Sequence, residues 1–92
     1  MSGAQSGAIS GTVVDTQGNA LRGAVVQTTV NGIPQVQVSD YYGDFRFLSL
    51  PVGTYTVEAQ LEGFTPVTDS GVEVNNISAT NIELKMQPAI SE

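Results

Sequence analysis

Apolar and polar residues alternate along most of the chain, and turn-forming residues interrupt the alternation about every ten residues. A period of two places successive side chains on opposite faces of an extended strand. Glycines are spread through the chain, with valine and threonine abundant between them, which disfavours helices. The pattern therefore predicts an all-β sandwich or barrel of short strands. The clearest strand is 54–62, whose inward residues are Tyr55, Val57, Ala59 and Leu61.

Turn residues set the limits of these strands. Asn31 and Gly32 can adopt the positive φ angles of a tight hairpin turn, and Asp40 can accept bonds from backbone N–H groups ahead of it, with Gly43 in the left-handed position. Pro34 is expected at the edge of the hairpin turn because it cannot donate to a central ladder. The predicted strands cover residues 8–15, 24–31, 35–39, 45–48, 54–62 and 80–87, with an irregular sixth strand between 64 and 74.

The same alternation predicts which residues form the core. Val36 and Val38 should face inward on the third strand, and Phe45 and Phe47 on the fourth. The inward residues of the last strand are Ile82, Leu84 and Met86.

A length of 92 residues fits one domain. We expect a flexible Ser/Gly-rich lead at residues 1–7, the domain at 8–87 and a tail at 88–92. Residues 1–7 contain neither a basic region nor an apolar stretch, so no secretory signal is expected in this chain. No run of about 18 apolar residues is present, and no membrane insertion is expected.

Composition excludes several classes of chemistry. The chain has no cysteine and no histidine, which rules out disulfides, zinc fingers, thiolate nucleophiles and imidazole-based triads. Nine acidic residues and three basic ones give a net charge of −6. Nucleic acid binding depends on many Lys and Arg side chains, so it is not expected here. These features predict that the protein is not an enzyme and holds no cofactor.

Three stretches, taken together and in order, indicate a family. They are Ile9-Ser10-Gly11-Thr12-Val13-Val14-Asp15 with Gly18, Leu21 and Gly23-Ala24-Val25-Val26 after it; Ser39-Asp40-Tyr41-Tyr42-Gly43-Asp44-Phe45-Arg46-Phe47; and Leu50-Pro51-Val52-Gly53-Thr54-Tyr55-Thr56-Val57 with Gly63-Phe64 after it. This arrangement resembles the carboxypeptidase regulatory-like domain, a relative of transthyretin-like and Cna-B-type sandwiches. The resemblance covers residues 8–87.

The resemblance implies a seven-stranded Greek-key sandwich, Ig-like or transthyretin-like, that acts as an accessory or spacer module and has no catalytic residues. Cna-B-type domains often carry an internal isopeptide bond whose Lys lies on the first strand. Here the only lysine is Lys85, on the last predicted strand. We therefore predict no such crosslink.

Two groups of side chains near one turn are candidate binding residues. Asp40 and Asp44 could share a Ca²⁺, but two carboxylates are fewer ligands than a calcium loop normally supplies, and we predict no metal site. Tyr41 and Tyr42 lie at the tip of the turn, where at least one ring should be exposed. They could contact a partner protein or stack on a glycan; alternatively, Tyr42 packs over the turn and Tyr41 is merely exposed.

The sequence thus favours a structural or protein-interaction module. Its expected partners are other protein subunits of a cell-surface or virion assembly, where it would serve as a decoration or spacer domain presenting loops and edge strands. The alternative is a carbohydrate-binding accessory domain of a secreted or surface protein.

Overall fold

The chain folds into strands that form two hydrogen-bonded β-sheets. A computed structural model describes residues 5–89 and confirms the all-β prediction of seven strands. Parts of the predicted lead and tail, residues 1–4 and 90–92, lie outside the described residues. The strands are β1 (Ser6–Val14), β2 (Val25–Val30), β3 (Ile33–Val38), β4 (Asp44–Pro51), β5 (Gly53–Gln60), β6 (Val67–Val74) and β7 (Thr80–Lys85).

The two sheets pack as a sandwich. One has the strand order β4-β1-β7 and the other β3-β2-β5-β6. The β1–β2, β3–β4, β4–β5 and β6–β7 connections cross between the sheets, whereas β2–β3 and β5–β6 are hairpins within one sheet. β1 pairs with β7 in parallel and with β4 antiparallel. This is the Greek-key sandwich that the family resemblance implies.

The core lies between the sheets and receives alternate residues from both. Tyr55, Val57 and Ala59 of β5 are buried, and Leu61 is half-buried against them. Their opposite neighbours on β5 face outward, so the predicted period of two holds along this strand. From the facing sheet the core receives Ile9, Val13, Phe45, Phe47 and Leu84.

Gly11 makes room for the largest side chains of the core. A Cβ at this position would lie 2.3 Å from Cζ of Phe45 and 3.0 Å from the carbonyl oxygen of Ile82. The missing side chain lets the Phe45 ring lie directly on β1, where it contacts the edge of Phe47.

The inward placement of Val36 and Val38 is wrong. The hairpin register sets Val36 opposite Gln27 and Val38 opposite Val25, on the outer face of the four-stranded sheet. Their exposed fractions are 50% and 58%. Gln35 and Gln37, and not the valines, lie on the side of β3 that faces the other sheet, opposite the buried Thr28 and Val26.

Strand limits also differ from the predicted ones. β1 starts at Ser6, inside the predicted lead, and β3 starts at Ile33, so Pro34 lies within a strand rather than beside the turn. Proline is tolerated there because β3 is at the edge of its sheet. The irregular sixth strand is a continuous β6 whose register shifts between Tyr55 and Val57 of β5.

We expect the two faces of the four-stranded sheet to respond differently to the same mutation. Val57→Ala should lower the free energy of unfolding by about 2 kcal/mol, because it removes fully buried methyl groups and leaves a cavity. Val36→Ala should change it by less than about 0.5 kcal/mol. Urea unfolding of both variants measures the difference, and equal losses would contradict the assignment of the two faces.

Candidate functional site

The candidate tyrosines lie on a five-residue turn, residues 40–44, between β3 and β4. Oδ1 of Asp40 accepts hydrogen bonds from the backbone N–H groups of Tyr42 and Asp44, each at 2.9 Å. The carbonyl oxygen of Asp40 accepts the Gly43 N–H at 2.9 Å, and the Asp40 N–H donates to the Asp44 carbonyl at 3.0 Å. The Asp40 side chain therefore holds the backbone of its own turn, as predicted.

A second turn, residues 15–19, repeats this hydrogen-bond pattern. Oδ1 of Asp15 accepts the N–H groups of Gln17 and Asn19 at 2.8 and 2.9 Å. The Gly18 N–H donates to the Asp15 carbonyl at 3.1 Å, and the Asp15 N–H donates to the Asn19 carbonyl at 2.9 Å. In both turns the sequence is Asp-x-x-Gly followed by Asn or Asp, a correspondence that the turn-by-turn sequence analysis missed.

The 40–44 turn is bonded to the rest of this end of the sandwich. We call this end the tip; it comprises the 15–19 turn, residues 20–24 and residues 39–44. Gly43 has a φ of 80°, and its carbonyl oxygen accepts the Val13 N–H at 2.8 Å. A Cβ on Gly43 would lie 2.6 Å from the carbonyl oxygen of Val13 and 3.2 Å from Cβ of Ala20. Close packing therefore couples the 40–44 turn to β1 and to the residues that follow the 15–19 turn.

The buried side chain of Ser39 also holds the tip together. Its buried hydroxyl donates to the Leu21 carbonyl at 2.7 Å and accepts the Ala24 N–H at 2.9 Å. These bonds fix the segment before β2 against the end of β3.

Both tyrosines project from this fixed support into solvent. The exposed fractions of Tyr41 and Tyr42 are 69% and 70%, so Tyr42 does not pack down over the turn. The two rings meet edge to face, with centroids 5.4 Å apart. The Arg22 guanidinium carbon lies 5.6 Å from the centroid of Tyr41, within the range of a cation–π contact. Arg22, Tyr41 and Tyr42 form a group that we call the tip cluster.

Sequence reasoning placed the tyrosines at a turn but missed Arg22. The hairpin at Asn31 and Gly32 pairs β2 with β3 back to Val25 and Val38. Beyond that pair the register shifts, because the Gly23 N–H and the Ala24 carbonyl both bond to the backbone of Ser39. The sequence pattern therefore carried no direct signal for the contact between Arg22 and Tyr41.

The two acidic residues of the calcium alternative already have protein partners. Asp40 accepts the backbone bonds described above, and Oδ1 of Asp44 accepts the Thr12 hydroxyl at 2.9 Å. Among residues 5–89 there is no group of three or more His, Cys, Asp or Glu residues that could hold a metal ion. Both carboxylates therefore have hydrogen-bond donors within the protein.

Residues 5–89 include no helix long and apolar enough to cross a membrane.

A polar groove lies beside the tip on the outer face of the three-stranded sheet. Its volume is about 690 Å³. Arg46 and Asn81 flank Ser10 in neighbouring strands, and Gln37 and Asp40 contribute one wall. The groove therefore presents amide, guanidinium, carboxylate and hydroxyl groups.

The tip and the sandwich that supports it carry the three sequence stretches that indicated a family. The family model of the carboxypeptidase regulatory-like domain matches residues 8–87. The chain belongs to this family.

Curated relatives contain this regulatory-like domain as a small part of a longer protein. Carboxypeptidase D of Anas platyrhynchos is 34% identical over 75 residues, which cover 78% of this chain and 5% of the relative. The TonB-dependent transporter Oar of Myxococcus xanthus is 35% identical over 88 residues, covering 88% of this chain and 8% of the relative. The likeness therefore concerns the domain and not the rest of these proteins.

Solved structures share the fold of the regulatory-like domain. The Bacillus anthracis TIE protein has a TM-score of 0.76 at 20% identity, covering 92% of this chain and 17% of that one. BcpA, the major pilin subunit of Bacillus cereus, has a TM-score of 0.69 at 17% identity, covering 92% and 31%. A candidate carbohydrate binding protein from Bacteroides uniformis has a TM-score of 0.72 at 19% identity, covering 91% and 42%. At these identities the likeness shows the fold.

The 15–19 turn should make stability depend on pH. The Asn19 N–H bond to the carboxylate lowers the pKa of Asp15 below its ordinary value of 3.8, and desolvation opposes this only in part. A lowered pKa means that the folded state stabilises the charged carboxylate more than the unfolded state does. Its contribution to stability is complete above the unfolded pKa and is lost as the pH falls through the folded pKa.

Asp15→Asn keeps an oxygen acceptor but removes the charge. We expect the free energy of unfolding of this variant to fall less steeply than that of the parent as the pH drops below about 4. Denaturant titrations at several pH values measure the slope. Asp69→Asn on β6 is the control, since it removes the same charge outside the turn. An unchanged slope in Asp15→Asn would contradict this role of the carboxylate.

Proposed function

We propose that this regulatory-like domain is a non-catalytic structural and protein-interaction module, displayed on a cell envelope or a virus particle as a decoration or spacer domain. It contacts another protein subunit through the tip cluster. The observation that carries the proposal is the pair of tyrosine rings, about 70% exposed, on a turn fixed by its own hydrogen bonds.

The chemistry of the tip cluster suits a protein partner. Tyr and Arg are enriched among the residues that dominate binding energy at interfaces, since each combines a large contact area with a polar group. The backbone beneath the rings is already ordered, so binding would not need to order it. Arg22 beside Tyr41 adds a positive charge to an otherwise acidic protein and would favour an acidic or carbonyl-rich partner surface.

Family and composition support a non-catalytic role. The family is that of a regulatory-like domain, and the sequence offers neither histidine nor cysteine as base or nucleophile. The carboxypeptidase relatives are enzymes as whole proteins, but the chain covers only 5% of carboxypeptidase D and 18% of the carboxypeptidase N catalytic chain of Mus musculus.

Two of the similar proteins support placement at a cell surface. A transporter carries a relative of this domain, and a major pilin subunit shares its architecture. Fold alone is weak evidence for any one function, so the proposal depends on the tip cluster.

Site-specific photo-crosslinking tests the proposal. With benzoylphenylalanine in place of Tyr42, in the protein on its native cells or particles, we expect irradiation to give a covalent adduct with one defined protein subunit. The control places the same group at Ile77, which is 88% exposed at the opposite end of the sandwich.

With the purified pair, Tyr42→Ala should weaken binding roughly tenfold or more, while Ile77→Ala should leave it unchanged. Identical adducts from positions 42 and 77, or unchanged affinity in Tyr42→Ala, would refute a contact through the tip.

The polar groove supports one alternative, a carbohydrate-binding accessory domain. Its amide, guanidinium and hydroxyl groups can hydrogen-bond sugar hydroxyls, and the nearby tyrosines could stack on a ring. On a glycan array this alternative predicts a defined set of bound glycans, with binding lost in Asn81→Ala or Tyr42→Ala and kept in Ile77→Ala. Silence across the array would eliminate it.

A further inference from the structure

One of the four sheet edges carries no charged residue. The edge strands are β3 and β6 in one sheet and β4 and β7 in the other. β4, β6 and β7 each carry two charged residues, which discourage the approach of another strand. β3 carries none, and all six of its residues are exposed.

The ladder shows which backbone groups of β3 remain free. The Ser39 N–H donates to the Ala24 carbonyl at 2.9 Å, so Ser39 points its backbone groups toward the β2 side. In an antiparallel ladder this orientation alternates, so residues 33, 35 and 37 also face β2. Pro34, Val36 and Val38 therefore direct their backbone groups outward. The free edge offers the N–H groups of Val36 and Val38 and the carbonyls of all three.

We propose that β3 pairs antiparallel with β3 of a second copy of this chain, about a twofold axis at Val36. In this register the two Val36 residues exchange N–H···O bonds with each other. On either side, the Val38 N–H of one copy donates to the Pro34 carbonyl of the other. Every outward N–H group finds an acceptor. Only the Val38 carbonyl is left without a partner, because Pro34 of the other copy has no N–H, and water can reach this carbonyl.

The side chains match in the same register. On the outer face Val36 lies beside Val36 of the second copy, and Pro34 beside Val38, which extends the apolar surface already begun by exposed Val25. On the other face Gln35 lies beside Gln37, where the amides can hydrogen-bond.

β3 itself carries no charge, although each copy has a net charge of −6. In the row formed by Val36, Gln27 and Glu58, the acidic side chain is Glu58. Across the twofold axis the two Glu58 residues are five strand spacings apart, roughly 24 Å, well beyond the Debye length of about 8 Å at physiological salt. A second copy is favoured over an unrelated strand because it satisfies both outward N–H groups of β3 and sets apolar beside apolar and amide beside amide side chains in the same register.

A single added strand on each copy makes a small interface, so we expect a dimer that forms only at high concentration. In an assembly with many copies the local concentration would be high. The inference specifies the partner for a module of the proposed kind, but it concerns β3 and not the tip cluster.

Analytical ultracentrifugation over a wide concentration range tests the pairing. We expect the parent chain to shift from monomer to dimer, and Val36→Lys and Val36→Pro to remain monomeric with unchanged thermal unfolding. The N–H that Val36→Pro removes points outward, so no β2–β3 hydrogen bond is lost, although the ring also fixes φ. Val52→Lys is the matched control, since Val52 has a similar exposed fraction, 47%, in the turn between β4 and β5, and it should dimerise like the parent.

The register has its own test, because the chain contains no cysteine. Opposed residues of a hydrogen-bonded pair have Cα atoms about 5.5 Å apart, within disulfide range. Val36→Cys should therefore oxidise to a disulfide-linked dimer at least tenfold faster than Val52→Cys.

A monomeric parent chain at all concentrations, a dimer insensitive to Val36→Lys, or equal oxidation of the two cysteine variants would each overturn the proposal. The proposal would also be overturned if a strand of another protein paired with the edge of β3 while the unmutated chain stayed monomeric. Tyr42→Ala should leave the dimer intact, so failure of this proposal and failure of the tip contact are separate results.

Discussion

The two-residue turn at Asn31 and Gly32 sets the register of the edge strand β3 against β2. Both residues have positive φ angles, 52° and 81°, which match the twist of a tight hairpin. The turn fixes Val30 opposite Ile33, and every later pair of β2 and β3 follows from it. The exposure of the valines on β3 is a consequence of this register, which sets them opposite Gln27 and the exposed Val25 on the outer face. A slip by one residue would exchange the two faces of the edge strand.

Much of the fold could be predicted from the sequence because burial is periodic. Tyr55, Val57 and Ala59 alternate with polar residues, and the structure buries them as expected. Val36 and Val38 show the limit of this reasoning. Alternation identifies two sets of residues on a strand but does not say which set faces the core when neither is charged. Hydrophobicity predicts that the valines of β3 face the core, whereas the hairpin register places the glutamines on that side.

The candidate site was predictable only in its local part. The Asp-x-x-Gly sequences identify both turns and their self-bonding aspartates, because these contacts span at most four residues. That the 40–44 turn is bonded to β1 depends on contacts between distant residues, such as the Val13 N–H to the Gly43 carbonyl. Single-sequence periodicity carries no such information. The exposure of both tyrosines follows from this fastening, since a turn held from below leaves its outer residues in water.

The parallel pairing of β1 and β7 has a mechanical consequence. Because the strands run in the same direction, Ser6 at the start of β1 and Lys85 at the end of β7 lie at opposite ends of the sandwich. Tension applied between these residues would act along the two strands and shear their whole ladder, from Ile9 with Thr80 to Val14 with Lys85, at once. A ladder loaded in shear yields only when many bonds break together, whereas a hairpin pulled at its open end unzips one bond at a time. A force along this direction therefore loads the β1–β7 ladder in shear and does not unzip it from one end.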